Sequence, residues 1–196
     1  NVYWKEKIMI DTKNVKLVIP AKKYLFSYLD ACCEYKANGN WRFNVHDPEK
    51  FEEWKTSLFS TYENNRLGLN LPDGYVPSSA FWLVENNTFI GAGNIRHKLT
   101  PALEHFGGHI GYFIRPSKWN QGYGTLQLAL LLKEAGKLGI DRVLVTCDED
   151  NVGSYRVMEK NSGIYQDTIE NIIEGRVRRT KRYWFDTSSK VWPNNK

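Results

Sequence analysis

Residues 110–125 concentrate the side chains and backbone with a chemical use. A β-branched and aromatic run ends at Arg115 and Pro116, a polar turn follows, and Gly122, Tyr123 and Gly124 open a helical pattern. Two glycines one residue apart let successive backbone N–H groups turn toward one point, with the positive end of the following helix dipole behind them. Such a nest binds an anion, most naturally a pyrophosphate. A Walker loop needs Lys and Ser or Thr directly after its last glycine, whereas Thr125 and Leu126 follow Gly124. A dinucleotide fingerprint needs a third glycine where Gln127 stands. Taken alone, the glycine pair is better accounted for by a helix start with no ligand.

The elements that must position this turn can be read from periodicity. At 196 residues, with 41% hydrophobic residues and a net charge of +5, the chain reads as one globular domain; disorder, collagen and coiled coil are excluded. The longest apolar stretches, such as residues 128–132, fall far short of the ~20 residues of a membrane span, and the polar start lacks the apolar core of a signal peptide. No membrane partner and a cytoplasmic location are therefore expected. Cys32, Cys33 and Cys147 form no C-x-x-C pair, so reduced thiols and no metal are expected.

Strand patterns cover residues 15–19, 80–84, 89–97, 109–114, 142–147, 164–172 and 177–186, and residues 85–88 read as a hairpin turn. Helical patterns cover residues 22–35, a segment through Phe51, Trp54, Leu58 and Phe59 that starts at Asp47 and Pro48, residues 121–137 closed by Gly139, and residues 152–161. Residues 64–79 and 100–108 read as loops. The order predicts an α/β fold with a mixed, mostly antiparallel twisted sheet flanked by helices. Residues 15–188 form the domain, with residues 1–14 a candidate appended or flexible segment and residues 189–196 a tail.

Gly122 and Gly124 after a strand ending near Pro116 resemble the pyrophosphate loop of the GNAT superfamily of acyl-CoA-dependent N-acyltransferases. Trp119 stands where that pattern usually has Arg or Gln. A second block fits as well. Residues 143–147 lead into Asp148, Asn151 and Ser154 and then Glu159, Lys160 and Gly163, similar to the superfamily's strand, Asn-x-x-Ala/Ser helix and closing turn. Stretches around Ile95, Gly107 and Thr146 are similar to a bacterial subgroup of acetyltransferases with unassigned acceptors.

The resemblance implies acetyl-CoA as donor, an amine acceptor, and strands splayed at the acyl-CoA site. Trp119, Asn120, Gln121, Gly122, Tyr123, Gly124 and Thr125 would hold the CoA pyrophosphate through backbone amides. Tyr112, Phe113 and Ile114 would pair their strand backbone with the pantetheine arm, and Asn151 and Ser154 would contact its thiol end; an ordinary N-cap also accounts for Asn151. The superfamily's acidic Tyr falls at Met158, which leaves Tyr155 or another hydroxyl, a water, or the solvent to protonate the thiolate. His97 and His109 titrate near neutrality and are candidate bases. By strand parity, however, Tyr112 faces the thioester and His109 the helix layer. Asp148 and Glu149, at a strand's C-terminal end, are candidate water relays. Cys147 invites an acyl-enzyme reading, against that of a small buried apolar residue.

Two other readings use the same residues. A GNAT fold lacking the acidic Tyr could bind acyl-CoA as a sensor. The alternation Arg176, Arg178, Arg179, Lys181 and Arg182, with Tyr183 and Trp184 beside it, suggests a nucleic-acid surface. A charged, exposed edge strand explains it more simply, and +5 is modest, so nucleic acid is not an expected partner. Trp41, Phe43, Trp54, Tyr62 and Tyr75 could line the acceptor side or belong to the core. A homodimer is common in the superfamily, but the sequence carries no decisive interface signal.

Overall fold

The structure, a computed structural model, describes residues 10, 12–39, 45–173 and 175–188. Strands β1 (Val15–Val18), β2 (Ser78–Glu85), β3 (Thr88–Arg96) and β4 (Ile110–Ile114) form one antiparallel sheet in that order. Strands β5 (Arg142–Asp148), β6 (Ile164–Ile173) and β7 (Arg176–Asp186) form a second, also antiparallel, in the order β5-β7-β6. Helices α1 (Leu25–Asn38), α2 (Phe51–Trp54) and α3 (Leu58–Leu67) cover one face of the first sheet. A short α4 (Pro101–His105) lies between β3 and β4, while α5 (Tyr123–Lys137) and α6 (Val152–Lys160) cover the other face.

Local chemistry explains most boundaries. Asn86 (φ 46°) and Asn87 (φ 67°) supply the two left-handed residues that a tight β2–β3 hairpin requires. On α5, Leu128, Leu131, Leu132 and Ala135 recur at i, i+3, i+4 and i+7 and are fully buried against Ile95, Ile110, Val143 and Val145. This stripe fastens α5 to both sheets, because Ile95 and Ile110 belong to the first and Val143 and Val145 to the second.

Three expectations need correction. The helix expected from Asp47 splits into a 3-10 turn (Pro48–Lys50), α2 and α3. Trp54 folds back so that its Nε1–H donates to Asp47 O (2.8 Å), and the chain redirects before Leu58 is buried. The loop at residues 100–108 contains α4, whose start is capped by Thr100 Oγ1 accepting from Leu103 N–H, with Pro101 in the first turn. β7 is the central strand of its sheet, so its basic residues do not protect an edge. Arg182 pairs with Asp167, Arg179 with Glu149, and Arg178 lies 3.8 Å from Asp148. At the chain's start, Ile10 packs against Leu83 and Ile90, and Thr12–Asn14 forms a 3-10 turn. Trp41, Phe43 and residues 189–196 lie outside the described residues.

Between the two sheets, β4 and β5 touch where they begin and then part. His109 N–H donates to Leu144 O (2.7 Å), and Leu144 N–H donates to the side-chain Nδ1 of His109 (2.9 Å) instead of a carbonyl. Gly108 makes the approach feasible, since at φ +60° an added Cβ would sit 2.5 Å from Leu144 O. Gly108→Ala is expected to push the sheets apart and cost roughly 1–3 kcal/mol, read as a lower midpoint in urea unfolding. An unchanged midpoint would mean that this junction carries no load.

Candidate active site

The alternation of β4 decides which of its backbone groups face the gap. Arg96 N–H donates to His109 O and Arg115 N–H to Ile90 O (both 2.8 Å), so residues 109, 111, 113 and 115 are the ones bonded to β3. The N–H and C=O groups of Ile110, Tyr112 and Ile114 therefore point away from β3, toward β5. Phe113 was expected to offer its backbone to the pantetheine. It pairs with Ala92 instead, and its ring packs edge-on against Tyr35 at 5.5 Å. The carbonyl of Ile114 is filled by the Tyr35 hydroxyl and by Trp119 Nε1–H (2.6 Å). The amide and carbonyl of Tyr112 and the amide of Ile114 lie on the edge of β4 with which no strand pairs among the described residues.

Above the gap, the chain passes through a 3-10 turn (Pro116–Lys118) into the glycine turn. Asn120 (φ 58°) and Gly122 (φ 94°) are left-handed, and α5 begins at Tyr123. The first amide of this helix end to find a carbonyl is that of Leu126, which donates to Gly122 O (3.2 Å). Those of Tyr123, Gly124 and Thr125 have no acceptor among the described residues, as the geometry of a helix start dictates. Side chains of the turn are committed elsewhere. Tyr123 OH donates to Glu85 Oε1 (2.8 Å) and Gln121 Nε2–H to Ser117 O (3.0 Å). The backbone amides of Tyr123, Gly124 and Thr125 are thus open to an anion.

Below the turn, two hydroxyls meet. Tyr112 OH lies 3.1 Å from Ser154 Oγ, across 42 residues of sequence. Burial pushes the Tyr112 phenol above its ordinary range, outweighing the Ser154 hydroxyl that lowers it. Asn151 is the N-cap of α6, its Oδ1 accepting from Ser154 N–H (3.1 Å), and so fixes the residue that meets Tyr112. Cys147 stands beside them, and burial pushes its thiol up to about 11. At neutral pH it is a protonated member of the core that also holds Met158. Tyr155 does not join the pair; its ring turns toward β7, with Lys181 Nζ 5.4 Å from its centroid.

The basic candidates separate. Glu149 is bound to Arg179 (2.6 Å), and His97 Nε2 to Ser79 Oγ (2.9 Å). His109 faces β5 rather than a helix layer. Burial first, and then the charge of Arg96, press its pKa down to about 4. With Nδ1 accepting from Leu144, the neutral ring carries its proton on Nε2 and has no free lone pair, so the geometry does not offer it as a base. Asp148 differs. Its Oδ1 is buried without a hydrogen-bond partner among the described residues, and Oδ2 has only the distant Arg178. Trp54 and Tyr62 pack in the core beneath α1, whereas Tyr75 is 70% exposed. The Tyr112–Ser154 pair escaped the sequence reading as a pair because no spacing links residues on different elements.

The sequence matches the acetyltransferase (GNAT) domain family over residues 30–162. The chain belongs to the GNAT acetyltransferases, acyl-CoA-dependent N-acetyltransferases whose donor is acetyl-CoA. A similar curated protein is the uncharacterized N-acetyltransferase YnaD of Bacillus subtilis (strain 168), 25% identical over 130 residues that cover 57% of this chain and 73% of YnaD. Among solved structures, RimJ of Mycobacterium smegmatis in complex with CoA-disulfide has a TM-score of 0.67 at 15% identity, covering 88% of this chain and 81% of RimJ. The microcin C7 self-immunity acetyltransferase MccE, in complex with acetyl-CoA and AMP, has a TM-score of 0.64 at 15% identity, covering 93% and 97%. No helix among the described residues is long and apolar enough to cross a membrane.

The His109 geometry predicts a pH effect on stability. A folded pKa near 4 lies below the ordinary 6.5, so the stabilisation is full above pH 6.5 and is lost as pH falls through about 4. His109→Asn keeps an acceptor for Leu144 and is expected to flatten that part of the pH–stability curve. His109→Ala is expected to cost about 1–3 kcal/mol in urea unfolding at pH 7. A stable but inactive Asn variant would restore the case for His109 as base.

Proposed function

We propose that the chain transfers the acetyl group of acetyl-CoA to a primary amine by direct attack, with the gap between β4 and β5 as the site. One observation carries this reading: the gap-facing backbone of Tyr112 and the open amides of Tyr123, Gly124 and Thr125 follow one another along a single strand-turn-helix. An extended, amide-bearing arm ending in a diphosphate matches that order of donors and acceptors.

In this reading Tyr112 binds the pantetheine through its backbone, and a gap-facing amide of β4 polarises the thioester carbonyl. The acceptor comes from the α1 side, where Gly111 leaves open space beside the strand. Asp148 attracts the ammonium with its unpartnered Oδ1 and relays the proton to water. The neutral amine then forms a C–N bond to the carbonyl carbon as the C–S bond breaks. The departing thiolate takes a proton from the Tyr112–Ser154 hydroxyls, which solvent replenishes. A buried Cys147 thiol titrating near 11 supports direct attack over an acyl-cysteine.

A thiol-release assay with acetyl-CoA across an amine library tests the proposal. Amine-dependent release by the wild type is expected, with kcat reduced on the order of 100-fold by Tyr112→Phe and turnover retained by Cys147→Ala. Tight acetyl-CoA binding with no release for any amine would favour the sensor reading.

A further inference from the structure

Glu34 stands on α1, outside every motif of the sequence, yet its carboxylate gathers the residues just ahead of the glycine turn. Oε1 accepts from Arg115 Nε–H (3.0 Å), from a second N–H of the same guanidinium and from Ser117 Oγ–H (3.0 Å). Oε2 accepts from Ser117 N–H (3.0 Å). The third arm of Arg115 donates to Phe89 O (3.0 Å), which ties the carboxylate to β3. The next residue, Tyr35, reaches the same turn through Ile114 O. Ser117 passes the constraint forward, since its carbonyl accepts from Gln121, the neighbour of Gly122.

We propose that Glu34 is a positioning residue for acetyl-CoA, holding the β4–α5 turn in the shape that leaves the amides of Tyr123, Gly124 and Thr125 free. This rests on the reading that those amides take the diphosphate. The charge pattern distinguishes shape from attraction. A site built to draw a diphosphate by charge would leave Arg115 unpaired, whereas here its guanidinium is committed to Glu34 and to a carbonyl. A carboxylate near an anion site is tolerable only while so neutralised, and what it contributes is a fixed backbone. Loss of Glu34 should therefore weaken donor binding and leave the chemical step alone.

The test is calorimetric titration of wild type, Glu34→Ala, Glu34→Gln and Gly122→Val with CoA, with melting temperatures for each and steady-state kinetics on any amine that turns over. Glu34→Ala is expected to bind CoA about tenfold more weakly, with kcat at saturating acetyl-CoA and the acceptor KM unchanged. Glu34→Gln, which keeps an acceptor of the same size, should recover part of the affinity. Gly122→Val should lose binding. Wild-type affinity in Glu34→Ala beside lost affinity in Gly122→Val would overturn the inference, as would a fall in kcat matching the rise in both KM values. Wild-type affinity in Gly122→Val as well would remove the underlying reading of the loop. Should Glu34→Ala fail to fold, Glu34→Gln decides: reduced affinity supports the proposal and wild-type affinity overturns it.

Discussion

A β-strand carries polar groups on both edges, and each must find a partner or water. In this protein β4 satisfies one edge against β3, and His109, just ahead of it, is hydrogen-bonded to Leu144 of β5. Beyond that contact the strands separate, and a strip of peptide groups faces a gap in an otherwise packed structure. Closing the gap with a backbone ladder would satisfy them, but α5 and α6 are wedged against both sheets and the Tyr112–Ser154 contact holds the top of β4 to α6. The fold thus maintains a row of buried polar groups that an extended polar ligand can complete.

The side chains around the gap follow the same economy. Two carboxylates, Glu34 and Glu85, grip the shoulders of the glycine turn through Arg115, Ser117, Lys118 and Tyr123. Trp119, Gln121 and Tyr123 of the turn are used for anchoring, and in the proposed reading the backbone amides that follow take the anion. Lower down, the protonated groups Tyr112, Ser154 and Cys147 cluster on the α6 side, where the proposed reaction would release its thiolate. The one buried carboxylate oxygen without a hydrogen-bond partner among the described residues, Asp148 Oδ1, belongs to the β5 face that includes Thr146, where the chain beside α4 donates to the strand. Cys147 and Asp148 thus point to opposite faces of β5, so that in the proposed reaction the proton donors lie on one side of the strand and the proton acceptor on the other.

Much of the fold was legible because its signals are local. Asn86 and Asn87 announce the hairpin, the leucine stripe announces α5, and Gly122 with Gly124 marks the turn. The break between α2 and α3 was not legible, since it depends on Trp54 reaching back to Asp47 O, a tertiary choice that overrides a continuous helical pattern. α4 was hidden by its length; five residues are too few for periodicity, although Thr100 and Pro101 gave the cap signal. The glycine turn and the N-cap at Asn151 could be placed from sequence, while the role of His109 could not. Parity assigns a side chain to a face of a strand, and His109 sits where the ladder fails and its ring replaces a carbonyl. Glu34 lies 81 residues from Arg115, and no motif joins them.

The central claim is that the gap-facing amides of β4 and the first turn of α5 receive the coenzyme, and amide-resolved NMR reads it most directly. When 15N-labelled protein is titrated with CoA, the N–H resonances of Tyr112, Ile114, Tyr123, Gly124 and Thr125 should move together and saturate at one concentration. Saturable binding that leaves these five amides in place while others shift would contradict the account.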